Sequence, residues 1–125
     1  MFNKELLADH LKDILEALER IPRRFETISS PDDFLRDEAG REHLDSICMI
    51  LIATGEAFRQ LDTRTKGEFL ARYPEVPWCD VIGVRNVLAH GYFDIDAEQL
   101  FDICTNDIPS LIKTVGTMLT ELQCE

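Results

Sequence analysis

Apolar side chains in this chain recur at steps of three and four, and nowhere do four or more residues alternate in the period-two manner of a half-buried strand. That repeat matches an α-helix. It gives each segment one apolar face, which has to be buried against another. Phe2, Leu6, Leu7, Leu11, Ile14, Leu15, Leu18, Ile21, Phe25 and Ile28 trace a long first helix. Pro22 lies inside it and removes a backbone hydrogen bond, which predicts a kink near residues 18–22 or a break. From Arg41 the stripe Leu44, Ile47, Cys48, Leu51, Gly55, Phe58 and Leu61 predicts a second long helix ending near Asp62. The run CDVIGVRNVLAH after Trp78 is helical in pattern. Leu100, Ile103, Cys104, Leu111, Ile112, Val115, Met118, Leu119 and Leu122 mark a last helix, which Pro109 should bend or restart. The fold class is all-α, an antiparallel four-helix bundle.

The connectors carry their own signals. Ser30-Pro31-Asp32-Asp33 reads as a cap, a first-turn proline and two acids at the positive helix end, opening a short helix that Gly40 closes. Thr65 and Glu68 have the spacing of a capping box before a short helix through Tyr73, and Pro74 and Pro77 enforce an extended link. Gly91 is placed to stop the third long helix, and Asp96 with Gln99 forms a second cap signal. No repeat or Gly/Ser linker divides the sequence, so residues 1–125 read as one domain. The longest apolar stretch, Ile47 to Ala53, is far shorter than the roughly 20 residues a membrane-spanning helix needs, and the first residues lack signal-peptide order. These features predict no membrane partner and a cytoplasmic location. Four cysteines, Cys48, Cys79, Cys104 and Cys124, stand too far apart for a C-x-x-C site and read as reduced, idle thiols.

Charge narrows the partners. Lys and Arg number 13 against 24 Asp and Glu, a net of −11, which repels a polyanion at long range. The excess is uneven: residues 1–58 and 86–125 each sum to −6, while residues 59–85, with 5 basic and 4 acidic side chains, sum to +1. An anion-handling surface should therefore involve the middle segment.

Of the three histidines, His10 and His43 lie among charged residues on helix faces. His90 differs, because Arg85, Asn86, His90 and Tyr92 fall within eight positions at a helix end. An arginine grips two phosphate oxygens at once and a histidine moves protons near neutral pH, the two requirements for cleaving RNA without a metal. On a straight helix Asn86 and His90 share a face, whereas Arg85 and His90 are about 140° apart. Either the chain leaves the helix at Gly91 so that His90 and Tyr92 swing toward Arg85, or two chains complete each other's site across a cleft. The plainer reading is that Arg85 and Asn86 only cap and bridge a helix end. No H-E-x-x-H pattern or ligand-spaced cluster points to a metal, and Asp94, Asp96 and Glu98 read as a solvated turn and helix start.

The segment from about Leu51 to Leu119, containing LIATGEAFRQL, YPEVPWCDVIGVRNVLAHGYFDID and NDIPSLI, resembles the HepT-like ribonuclease toxins of the HEPN superfamily. The R-x4-H-x-Y motif is intact as Arg85, His90 and Tyr92, preceded by GEA and PxxPW elements. The resemblance implies a HEPN-like bundle that forms a homodimer with the two motifs facing one cleft, and metal-independent endoribonuclease activity with no cofactor. Arg85 and His90 would be the catalytic pair, Asn86 would help hold the phosphate or the histidine, and Glu56 of the GEA element would orient Arg85. It also implies a type VII toxin–antitoxin system, in which an MNT-type nucleotidyltransferase antitoxin transfers AMP onto Tyr92. An adenylylated phenol two residues from His90 occupies the charge and space an RNA phosphate needs. The acidic balance then calls for a local positive cleft formed by Arg85 from each chain with some of Arg59, Arg64, Lys66 and Arg72 nearby. The alternative is a catalytically silent helical module that docks the nucleotidyltransferase.

Overall fold

The computed structural model describes residues 3–125, and for residues 85–87, 89 and 90 the backbone alone. Phe2, placed on the first stripe, lies outside the described residues. Asn3 begins helix α1 (Lys4–Phe25) by accepting the Leu6 amide on its side chain, at 3.1 Å. Five stripe residues of α1, Leu7, Leu11, Ile14, Leu18 and Ile21, are buried, spaced four and three apart, while Leu6, one step off that line, stays half exposed. The helix runs unbroken through Pro22 to Phe25, so the break is excluded. Pro22 stands in the last turn, where only one hydrogen bond is forfeited and the buried Leu18 and Ile21 hold the face in place.

After the short helix α2 (Asp33–Arg36), the long α3 (Glu38–Arg64) buries its expected stripe: Leu44, Ile47, Cys48, Leu51, Gly55, Phe58 and Leu61. Its N-cap is Asp37, whose carboxylate accepts the Gly40 amide at 2.8 Å. Gly40 therefore does not close the preceding helix; it lies in the first turn of the next. A Cβ there would stand 1.9 Å from the Asp33 carbonyl oxygen, so glycine is required for α2 to approach α3. Helix propensity alone favours Ala over Gly by about 1 kcal/mol. The backbone clash reverses that sign, and Gly40→Ala is expected to destabilise the fold by about 1–3 kcal/mol in urea denaturation. An unchanged or raised midpoint would show that α2 moves freely aside.

Two further cap readings change: the N-cap of α2 is Asp32, without a side-chain hydrogen bond, in place of Ser30. Thr65 bonds backward, its hydroxyl donating to the Leu61 carbonyl at 3.0 Å and its amide closing α3, instead of opening a new helix. Lys66 (φ 55°) and Gly67 (φ 75°) then reverse the chain through left-handed conformations, and only a 3-10 turn, Leu70–Arg72, follows. Asp96 behaves as expected and caps α5 (Ala97–Asp102) through the Glu98 and Gln99 amides, at 3.0 and 3.2 Å. A π-helical stretch, Ile103–Asp107, leads into α6 (Ile108–Cys124). Pro109 is the second residue of α6, a position needing no amide donor, so it restarts the helix.

The remaining long helix, α4 (Trp78–Gly91), completes the bundle. Side-chain contacts at both ends fix three antiparallel pairs. Arg24 Nε donates to Ser46 Oγ at 2.5 Å and Arg64 meets His10 at 2.5 Å, pairing α1 with α3. Lys4 Nζ donates to the Glu125 carbonyl at 2.9 Å and the Phe25 and Phe101 rings lie 5.2 Å apart, pairing α1 with the α5–α6 arm. The Phe58 and Trp78 rings lie 5.1 Å apart and Tyr92 reaches Asp45, pairing α3 with α4. No strand occurs among the described residues. Between α4 and α6 the bundle stays open as a groove of about 340 Å³, lined in part by Leu51, Val81, Val84, Ile108 and Leu111.

Candidate active site

Helix α4 is positioned from its start. Trp78, its first residue, donates its indole N–H to the Tyr73 carbonyl at 3.0 Å while its ring packs on Phe58. From that anchor the helical backbone runs continuously through Arg85, Asn86 and His90. Only the backbone of these three residues is described; in an ideal α-helix, positions five apart lie about 7.5 Å along the axis and about 140° around it.

The chain does not leave the helix at once after His90. Gly91 is the last residue of α4 with φ −116° and ψ 19°, not the left-handed conformation of a helix-stopping glycine, and a 3-10 turn, Tyr92–Asp94, follows directly. The first extended residue is Ile95 (ψ 130°). The long helix thus ends at Gly91, as expected, and passes into the 3-10 turn without an abrupt break.

Tyr92 opens the 3-10 turn that follows α4. Its ring is 44% exposed, and its hydroxyl donates a hydrogen bond to Asp45 Oδ1 on α3. That bond, with some desolvation and the charge of Asp45, pushes the phenol above its ordinary pKa, partly offset by Arg41 one helical turn before Asp45. The Phe93 ring stands edge-on at 5.4 Å and is 96% exposed, and Met49 on α3 is also exposed. Neither Asp45 nor Arg41 is among the candidate site residues the sequence suggests. Their i, i+4 spacing marks only a solvated helix face, and nothing local ties them to a tyrosine 47 positions away.

Glu56 holds Arg59 on its own helix through a forked ion pair, with the shortest contact 2.6 Å and Nε within 3.0 and 3.2 Å of the two carboxylate oxygens. The carboxylate raises the already high pKa of Arg59. Among the described residues, Arg64, Lys66 and Arg72 of the middle segment do not surround Tyr92 within this chain; the side chain of Arg85, about which the cleft was expected, lies outside the described residues. Arg64 meets His10, and Arg72 pairs with Glu125 at 3.0 Å and stacks over Phe69, both at the C-terminal end of α3. Asp45 and Tyr92 lie 19 residues back along that helix, or about 28 Å. Lys66, in the turn after α3, belongs to the same far end.

Among the described residues no three His, Cys, Asp or Glu side chains gather to hold a metal ion, and no helix is long and apolar enough to cross a membrane. All four cysteines are free thiols. Cys48 and Cys104 are buried, and burial pushes them up to about 11 and about 12, so they stay neutral.

Residues 14–118 match the family model described as ribonuclease HepT-like. A protein of Thermococcus cleftensis named "Probable ribonuclease HepT" is 33% identical over 103 residues, covering 82% of this chain and 86% of that protein. "Putative RNase MJ0127" of Methanocaldococcus jannaschii is 31% identical over 115 residues, covering 92% of this chain and 88% of that protein. No solved structure matches the chain.

Proposed function

Because the chain belongs to the ribonuclease HepT-like family, we propose that it is the toxin of a type VII toxin–antitoxin system, a metal-independent endoribonuclease working in the cytoplasm. Its switch is adenylylation of Tyr92 by an MNT-type nucleotidyltransferase. In this reading the substrate is RNA. His90 takes the 2′-hydroxyl proton as that oxygen attacks the neighbouring phosphorus, the bond to the 5′-oxygen breaks, and the leaving oxygen is protonated. Arg85 neutralises the charge that builds on the phosphoryl oxygens, so no metal is needed for that task. Asn86 helps hold the phosphate or the histidine, and Glu56 orients Arg85.

The observation that carries the reading is the join between α4 and the following turn. A helix bearing Arg85 and His90 ends in an exposed tyrosine two residues beyond the histidine, within reach of another protein. A homodimer completes the site. Arg85 and His90 diverge around a single straight helix, which favours a composite site with an arginine from one chain and a histidine from the other. Two features support pairing through α4: it packs chiefly against α3, with a groove on its other side, and Met49, Tyr92 and Phe93 are exposed nearby.

Intact-mass spectrometry of the chain co-produced with the nucleotidyltransferase encoded beside it tests the regulatory half. The expected result is added mass in multiples of an adenylyl group, abolished by Tyr92→Phe. A chain that keeps its unmodified mass would overturn adenylylation, and modification that survives Tyr92→Phe would move the acceptor elsewhere.

A further inference from the structure

The hydrogen bond across the α3–α4 seam assigns a task to a residue outside the motif. Resting on the reading that Tyr92 is the acceptor of an adenylyl group, we propose that Asp45 is the base for that transfer and that Arg41 offsets the charge it creates. The Tyr92 hydroxyl already points its proton at Asp45 Oδ1, both residues are exposed, and an incoming nucleoside triphosphate can reach them from solvent.

As the phenolic oxygen attacks the α-phosphorus, a new O–P bond forms and the bond from that phosphorus to the bridging oxygen breaks. Pyrophosphate leaves with the electron pair, and the phenol proton passes to Asp45 and then to water. A base is needed because the phenol is held above its usual pKa and is neutral near pH 7. A carboxylate suffices because the phenolic oxygen turns strongly acidic once its bond to phosphorus begins to form. The new phosphodiester carries one negative charge close to Asp45, and Arg41, whose charge is felt at the Tyr92 hydroxyl, is placed to balance it.

The groups facing that hydroxyl from α3 are Asp45, Arg41 and Cys48, the last neutral because burial pushes its thiol up to about 11. On its own segment the nearest ring is the uncharged Phe93. His90 is replaced by alanine throughout the test, so that the imidazole adds no titration to the profile.

The experiment measures adenylyl transfer from α-labelled ATP by the neighbouring nucleotidyltransferase between about pH 5 and about pH 9. The chains compared carry Asp, Asn, Ala or Glu at position 45. Asp45→Asn keeps an oxygen to accept the phenol hydrogen bond but cannot take the proton. It is expected to slow transfer about 10²-fold near pH 7, with the deficit shrinking as pH rises toward the phenol pKa, and Asp45→Glu should recover part of the rate. Equal rates and profiles for Asp45 and Asp45→Asn would overturn the assignment. So would loss in Asp45→Ala with full retention in Asp45→Asn, which marks a positioning role alone. Absence of transfer to the Asp45 chain itself would remove the adenylylation reading, and the proposal with it.

Discussion

His90→Ala is expected to lower RNA cleavage by about 10²–10⁴-fold, the usual contribution of a positioned proton-transfer group, and Arg85→Ala by about 10²–10³-fold through lost stabilisation of the phosphoryl charge. The measurement is turnover of a defined RNA by purified chain of unmodified mass, with growth inhibition on expression as the cellular counterpart. The double variant should be little worse than the weaker single one, because the two groups act as one device. Mixing the two inactive single variants adds a geometric test. Where each site takes its arginine from one copy and its histidine from the other, a mixed dimer rebuilds one intact site and cleavage returns. Where both come from one chain, it does not. The unbroken helical register of α4 and the absence of a left-handed Gly91 favour the first outcome. An unmodified wild-type chain that neither cleaves RNA nor slows growth would instead support a silent module that docks the nucleotidyltransferase.

The physical content of a short helical sequence is distributed unevenly between what is local and what is not. The α3 stripe was legible residue by residue from Leu44 to Leu61, because burial of one face follows directly from the 3.6-residue repeat. Asp96 was legible as a cap for the same reason, since its partners lie two and three residues ahead. Gly40 was misread because a glycine at a close approach and a glycine at a helix stop look alike until the Asp33 carbonyl is seen against it. Thr65 was misread because a threonine hydroxyl can serve the helix behind it as well as the one ahead. Arg85, His90 and Tyr92 can be grouped in the sequence by residue type and spacing alone. The surroundings of Tyr92 cannot be read that way, because Asp45 meets Tyr92 through the antiparallel pairing of two helices, a contact no window of sequence contains. Arg64 and Arg72 likewise stand near the motif in the sequence, yet pair with His10 and Glu125 through contacts between distant segments.

Phe58→Ala is expected to remove about 3–5 kcal/mol of stability, the range for deleting a fully buried phenylalanine, read as a lowered urea midpoint with little change in slope. Phe58 has no solvent exposure, and its ring lies 5.1 Å from that of Trp78. The resulting cavity opens beside the first residue of α4, a helix that packs chiefly on α3. A domain of this kind has about 5–15 kcal/mol in total, so the loss takes a large share of it. Leu6→Ala, made at a half-exposed position on α1, serves as the control and should shift stability by about 0.5 kcal/mol or less. The same seam that Phe58 and Trp78 close at one end carries the Tyr92–Asp45 hydrogen bond at the other. A Phe58→Ala chain held below its midpoint should therefore lose rate in adenylyl transfer to Tyr92 beyond its unfolded fraction. A stability loss under about 1 kcal/mol, with that transfer unimpaired, would mean that α4 takes its position from contacts other than this aromatic pair.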